Sequence, residues 1–279
     1  QHKSSLPKAG KKRGFAFEAA SGAKGLNLIA HGDSWFDYPV GDDEFKFPRS
    51  DITIWLEKKL LKPKPEILRI AHWGDAMEDL LGTKKRQRLI NALKAGPCDA
   101  ILFSGGGNDI VGEKFHHWLN DAASVGNDPM KAVNEGAFAQ ILGLIKIAYR
   151  DLVSIRDTHK AGVPIFVYGY DFARPTNIGI CGKVVGPWLF PAFKARGWMQ
   201  TPKGADLERG EGIVKRMLTR FDKLLRELAA DHQDVIVVPT QGTTKIKGLW
   251  HNETHLKGEG FRAIAACFAV RVLHYLYSE

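Results

Sequence analysis

Leu26-Asn27-Leu28-Ile29-Ala30-His31 runs without a break into Gly32-Asp33-Ser34-Trp35, a strand-length apolar stretch closed by a small polar turn. The pattern recurs twice: Ile67 to His72 leads into Gly74-Asp75, and Ala100 to Ser104 leads into Gly105-Gly106-Gly107-Asn108-Asp109. Two further apolar runs, Val163 to Tyr168 and Val235 to Val238, bring the candidate strands to five. Between them the spacing predicts helices over Ile52 to Leu61, Lys84 to Leu93, Met130 to Ile155 and Ile213 to Leu228, with a last one from Phe261 to Tyr275. Such alternation argues for the α/β class, with a mainly parallel sheet covered on both faces. The stripe Ile213, Val214, Met217, Leu218, Phe221, Leu224, Leu225 and Leu228 repeats at one-face helical spacing and is read as core.

The chain has 279 residues and 44% hydrophobic content, enough for one sizeable core. The expected organisation is a basic N-terminal arm at 1–25 followed by a single catalytic domain at 26–279. No apolar run approaches the roughly 18 residues of a membrane-spanning helix, and the first residues are basic and polar. The chain is therefore expected to be soluble, with compartment and oligomeric state open. Cys98, Cys181 and Cys267 are too few and too irregularly spaced for a disulfide framework or a thiolate metal site, and are read as buried free thiols. The net charge of +9 gathers in Lys3, Lys8, Lys11, Lys12 and Arg13 and in Lys84, Lys85, Arg86 and Arg88. No aromatic residues interleave with these runs, so a nucleic-acid partner is not expected. They read as a disordered arm and a solvated helix face, with weak contact to an anionic membrane as a further expectation. Asp171 to Arg209 mixes prolines and glycines with Phe172, Trp188, Phe190, Phe193 and Trp198. An irregular insertion of that length is expected to be a lid or substrate-binding loop, against a plain aromatic satellite core.

In an open parallel sheet, ligands bind beyond the carboxyl ends of the strands, so the three turns should converge on one crevice. Asn252-Glu253-Thr254-His255 follows the last candidate strand and falls on the same rim. An acyl-transfer site needs an exposed hydroxyl, an imidazole to take its proton, and donors aimed at the developing oxyanion. Ser34 can supply the hydroxyl and His255 the imidazole. The Ser34 N–H, the unobstructed Gly74 N–H and the Asn108 side-chain amide are candidates for an oxyanion hole. Trp35, Phe36 and Tyr38, next to the nucleophile, could form an apolar substrate-binding wall, or simply pack the loop. Asp33 and Asp109 are read as turn-shaping acceptors. His31, His72, His116 and His117 are read as structural or solvent-facing. His251 lies four residues before His255, but in a loop without a third ligand, so no metal is expected. There is no Gly-x-Ser-x-Gly elbow, no P-loop and no Gly-x-Gly-x-x-Gly after the first strand. Gly105 to Asn108 could alternatively cradle a phosphate through backbone N–H groups.

These residues also carry a family resemblance. Gly32-Asp33-Ser34-Trp35 resembles the first block of the SGNH/GDSL hydrolases, and Gly74 after a strand resembles the second. Gly106-Gly107-Asn108-Asp109 is similar to the third, and His255 before a helix to the fifth, all in the family's order. The resemblance implies a flavodoxin-like three-layer α/β/α sandwich with a five-stranded parallel sheet, no metal, no organic cofactor, and a small-molecule or lipid ester as substrate. It departs at the orienting position: Asn252 stands where the family usually has an aspartate, and Leu256 where a proline often follows the histidine. In serine-protease triads that Asp-to-Asn change drops turnover about ten-thousand-fold through the wrong imidazole tautomer. Asn252 is taken as the orienting residue, with three readings open. A backbone carbonyl near Trp250 orients His255; Glu253 does so; or the site is impaired and the chain binds a lipid or glycan without cleaving it.

Overall fold

The computed structural model describes residues 17–18, 24–42, 49–181 and 184–277. Its strands are β1 (Phe17–Glu18), β2 (Asn27–Gly32), β3 (Leu61–Lys62), β4 (Glu66–Arg69), β5 (Ala100–Ser104), β6 (Ile165–Val167) and β7 (Val235–Val237). The helices are α1 (Ile52–Trp55), α2 (Met77–Leu80), α3 (Thr83–Ala95), α4 (Gly107–Ile110), α5 (Glu135–Lys160), α6 (Phe190–Ala195), α7 (Gly204–Asp231) and α8 (Gly258–Tyr277). All five expected strands form, and they make one sheet in the order β4-β2-β5-β6-β7, with every pair parallel. Counted along the chain this is the 2-1-3-4-5 order of flavodoxin-like folds, whose ligand crevice opens at the switch point between the first and third strands. Here those strands are β2 and β5.

Burial explains why β2 and β5 lie at the centre. Every residue of β5, and all of β2 except Asn27, is buried, whereas β4 at the edge leaves Leu68 about half exposed. A strand covered on both faces must be apolar along its whole length. α1 packs on α8, while α3 packs on α5 and α5 on α7, giving a helical layer on each side. Along α7, Ile213, Met217, Phe221, Leu225 and Leu228 are sealed into the core, as the sequence stripe requires. Helix starts follow local chemistry: the Asp51 carboxylate accepts the Ile54 N–H at 2.9 Å, and Asn134 Oδ1 accepts the Ala137 N–H at 3.1 Å.

Three details differ from expectation. The helix expected over Ile52 to Leu61 is α-helical only to Trp55 and widens to a π-helix over Leu56–Leu60, where the chain leaves to pair Leu61–Lys62 with Phe17–Glu18. That pairing holds the inner end of the N-terminal arm against the domain. Lys3, Lys8, Lys11, Lys12 and Arg13 lie outside the described residues. The second basic run is on α3, where Lys85 pairs with Asp75 and Arg86 with Asp151. Of the three cysteines expected to be buried only Cys98 is, and burial pushes its pKa up to about 11; Cys181 is exposed and Cys267 half-buried. No helix among the described residues is long and apolar enough to cross a membrane.

Candidate active site

At Gly32 the end of β2 comes so close to β5 that a Cβ would lie 2.4 Å from the Ser104 carbonyl oxygen. Glycine is the residue that fits. The chain then turns: the Asp33 N–H donates to the Ser104 carbonyl at 3.0 Å, and the Phe36 N–H to the Asp33 carbonyl at 3.1 Å. Ser34 sits within this turn, and its Oγ lies 2.7 Å from Nε2 of His255, a residue 221 positions further along the chain. Below it, the buried Asp33 carboxylate accepts the Trp35 N–H at 3.0 Å, the Ser104 hydroxyl at 2.7 Å and the Tyr170 hydroxyl. Burial pushes the Asp33 pKa up to about 6 against the pull of these donors.

Nδ1 of His255 faces the Thr254 hydroxyl, 3.1 Å away, and Asn252. Asn252 Oδ1 lies 3.0 Å from His255 Nδ1 and also accepts the N–H groups of Thr254 at 3.0 Å and His255 at 2.9 Å. Backbone N–H groups only donate, so the amide oxygen, not its nitrogen, must face this cluster. The amide Nδ2 turns the other way and donates to the Tyr38 hydroxyl at 3.0 Å. Nδ1 of His255 therefore carries the proton, and the Nε2 lone pair is left for the Ser34 hydroxyl. The Tyr38 ring lies nearly flat on the imidazole, with centroids 4.4 Å apart and 17° between planes, and Trp188 meets it edge-on at 5.5 Å. The Tyr38 hydroxyl also contacts His251 Nδ1 at 2.5 Å. Burial, and secondarily the neighbouring His251, hold the His255 pKa down at about 3, so the imidazole is neutral at neutral pH. Among the described residues no carboxylate raises that value.

The oxyanion candidates lie in three loops. Gly74 has φ +83°, a left-handed conformation that suits glycine, and open space where a side chain would be. Among the described residues neither the Ser34 N–H nor the Gly74 N–H has an acceptor. Asn108, in the first turn of α4, donates one amide hydrogen to the Asp75 carbonyl at 2.9 Å, which anchors the group and leaves its second hydrogen. Asp109 accepts the Met77 N–H at 3.0 Å, so the Gly74 and Asn108 loops are tied together. Ser34, Trp35, Asn108, Ile110, Val111 and His255 all line one cavity of about 50 Å³; Gly74 stands outside its lining.

The insertion meets this site through Glu253. Its carboxylate turns away from His255 and accepts four backbone N–H groups, from Asn177 at 2.9 Å, Trp188 at 2.6 Å, Leu189 at 2.6 Å and Phe190 at 3.1 Å. Burial raises its pKa against these bonds. Phe190, Phe193 and Trp198 are buried, and Phe193 packs edge-on to Phe115 at 5.3 Å. Three of the insertion's five aromatic residues thus form a satellite core shared with the segment after α4. Trp188 and Phe172 remain to line the rim.

The arrangement, a parallel 2-1-3-4-5 sheet with a serine after its first strand and a histidine before its last helix, was compared with known structures. An extracellular lipase from Streptomyces rimosus superposes with a TM-score of 0.54 at 13% identity, covering 88% of this chain and 99% of that one. A lipase from a goat rumen metagenome superposes with a TM-score of 0.53 at 13% identity, covering 88% and 97%. The chain shares the fold of these two lipases. No family model and no curated protein matches its sequence, so the likeness lives in the fold.

Within this fold the expected residues divide. Ser34, His255, Asn252 and Asn108 come together around one point. Trp35 lines the cavity, with its indole N–H donating to the Thr254 carbonyl at 3.1 Å. Phe36 and Tyr38 do not form a substrate wall: Phe36 is fully buried against Tyr168 and Phe268 because the turn points it under the sheet, and Tyr38 is spent on His255 and Asn252. Neither the Trp250 carbonyl nor Glu253 orients His255, since Nδ1 is taken by Asn252 and Glu253 faces the insertion. His31 is buried and bonded to the Leu80 carbonyl at 2.8 Å, which with burial leaves its pKa at about 4. His72, His116 and His117 lie outside the cavity. Sequence reasoning missed the support given by Tyr38 and the cradle of Glu253. Neither has a local signal, because each depends on groups far away in the chain.

Proposed function

We propose that this chain is a serine esterase or acylhydrolase working through a Ser34–His255 pair oriented by Asn252. The observation that carries the reading is the 2.7 Å contact from Ser34 Oγ to a neutral His255 Nε2, in the tautomer required of a general base. In the first step Ser34 Oγ bonds to the ester carbonyl carbon as its proton passes to Nε2. The carbonyl oxygen becomes an oxyanion held by the Ser34 N–H, the Gly74 N–H and the Asn108 amide. Collapse of the tetrahedral species breaks the bond to the alcohol oxygen, which leaves with the proton from Nε2. Water, deprotonated by Nε2, then attacks the acyl-serine; the bond from the acyl carbon to Ser34 Oγ breaks, Oγ takes the proton back from Nε2, and the acid departs. That the two fold relatives above are lipases is in keeping with this chemistry.

Asn252 supports a second reading, a binding protein for a lipid or glycan. It offers the imidazolium no charge, so the pair would run slowly or not at all. Hydrolysis of p-nitrophenyl esters from acetyl to palmitoyl by the parent, Ser34→Ala and Asn252→Asp separates the two. Turnover abolished by Ser34→Ala is the expected result. Absence of turnover in both the parent and Asn252→Asp would leave the binding reading.

A further inference from the structure

The cavity at Ser34 borders a second, larger one. Asp171 and Ala173 line both, so the two are neighbouring compartments of one cleft. The inner compartment measures about 50 Å³ and the outer about 270 Å³. By this measure a single water needs about 10–15 Å³. The inner space therefore holds a few small groups: room for an acetyl methyl, not for an extended acyl chain.

The outer compartment differs in chemistry. Phe172 and Trp250 give it flat apolar walls, and Arg174, Glu211, Lys215 and Lys245 give it charge. Two of the charges cancel locally, because Arg174 Nε lies 2.7 Å from Glu211 Oε1. The nearby Asp171 carboxylate is turned into its own loop, where it accepts the N–H groups of Phe172, Gly242 and Thr244 and the Thr244 hydroxyl, all between 2.6 and 2.7 Å. Lys215 and Lys245 form no ion pair among the described residues. Lys215 lies over the Phe172 ring, 5.4 Å from its centroid. The cleft thus pairs an aromatic floor with ammonium groups that lack a counter-charge.

We propose that the substrate is a short-chain ester, of acetyl size, whose alcohol part has a flat apolar body and a negative charge: the acyl group enters the inner cavity, and the anionic alcohol part lies between Phe172 and Trp250 under Lys215 and Lys245. This rests on the esterase reading for the acyl half, but the anion-binding half can be tested without catalysis.

The kinetic test compares 4-acetoxyphenylacetate with its uncharged analogue 4-acetoxyphenylacetamide, and with the decanoyl homologue of the carboxylate. One charge-assisted contact predicts about a tenfold preference in kcat/KM for the carboxylate over the amide, falling to about one in Lys215→Gln/Lys245→Gln and shrinking with added salt. The decanoyl ester is expected to react at least about tenfold more slowly than the acetyl ester. Absence of the charge preference in the parent, its persistence in the double variant, or a decanoyl ester cleaved as well as the acetyl one overturns the proposal. Titration calorimetry of Ser34→Ala with 4-hydroxyphenylacetate and 4-hydroxyphenylacetamide reads the same charge preference as a ratio of Kd. If no Ser34-dependent hydrolysis occurs, the esterase reading fails, and equal Kd values for the two compounds would then overturn the anionic cleft as well.

Discussion

Replacing Asn252 by aspartate puts a carboxylate where the amide oxygen now stands, 3.0 Å from His255 Nδ1. The neutral imidazole would feel this little; the imidazolium formed during proton transfer would feel it strongly. At an effective dielectric of about 20, unit charges about 4 Å apart attract by about 4 kcal/mol. With about 1.4 kcal/mol per pKa unit this lifts His255 by about 3 units, from about 3 in the parent into the range of an ordinary histidine. The Tyr38 hydroxyl, now an acceptor from Asn252 Nδ2, can donate to the new oxygen, so the array stays satisfied. If half of the attraction is realised in the transition state, about 2 kcal/mol, kcat rises about 30-fold. The assay is kcat/KM for a neutral p-nitrophenyl ester from acid to neutral pH. For the parent, activity requires neutral His255 and persists as pH falls below the usual histidine range; in Asn252→Asp the acid limb should move up by about 3 units. An unmoved limb would mean that Asn252 does not contact Nδ1. A gain nearer ten-thousand-fold would mean that the parent's amide donates to Nδ1 and holds the wrong tautomer.

Asn108→Ala removes one oxyanion donor and should lower kcat about 100- to 1,000-fold with little change in KM, measured by steady-state kinetics; a loss confined to KM would refute the role. Tyr38→Phe keeps the ring against His255 but strands Asn252 Nδ2, at an expected cost of about 1–3 kcal/mol seen as a lower Tm. Its kcat should fall about tenfold, whereas an unchanged kcat would make Tyr38 a packing residue only. Glu253→Ala leaves four buried N–H groups of the insertion without an acceptor; limited proteolysis should then cut within 171–209, and equal resistance in parent and variant would count against the cradle. The Asp33 carboxyl has a pKa of about 6 in the fold and 3.8 as its ordinary value, so the native state binds its proton more tightly. Its contribution to stability is complete below about pH 4 and lost as pH rises through about 6. The Tm of the parent relative to Asp33→Asn should fall over that interval, and a constant difference would refute the shift.

Much of the fold was legible because the information is periodic and local. The run from Leu26 to His31 is apolar at successive positions because β2 is covered on both sides, and the α7 stripe repeats at one-face spacing because only one side of that helix meets the sheet. Ser34, Asn108 and His255 could be found because an open parallel sheet gathers the ends of its strands, so residues in turns after strands are neighbours whatever their separation in the chain. The π-helical widening over Leu56–Leu60 was not legible, since it arises where Leu61–Lys62 leaves to pair with Phe17–Glu18, a contact between segments more than forty positions apart.

The letters at Trp35, Phe36 and Tyr38 are all aromatic, yet one lines the cavity, one enters the core and one lies against the His255 imidazole. Their fates differ because the turn after Gly32 points successive side chains in different directions, and the partners that receive them come from β6, α8 and the His255 loop. The sequence by itself determined the α/β class, the parallel sheet and which residues could meet on its rim. The tertiary structure alone decided that Asn252 presents its oxygen to His255, that Glu253 serves the insertion, and that a small cavity borders a cationic cleft. Hydrogen-bond direction and cavity volume depend on atoms brought together from distant parts of the chain, and no local pattern encodes them.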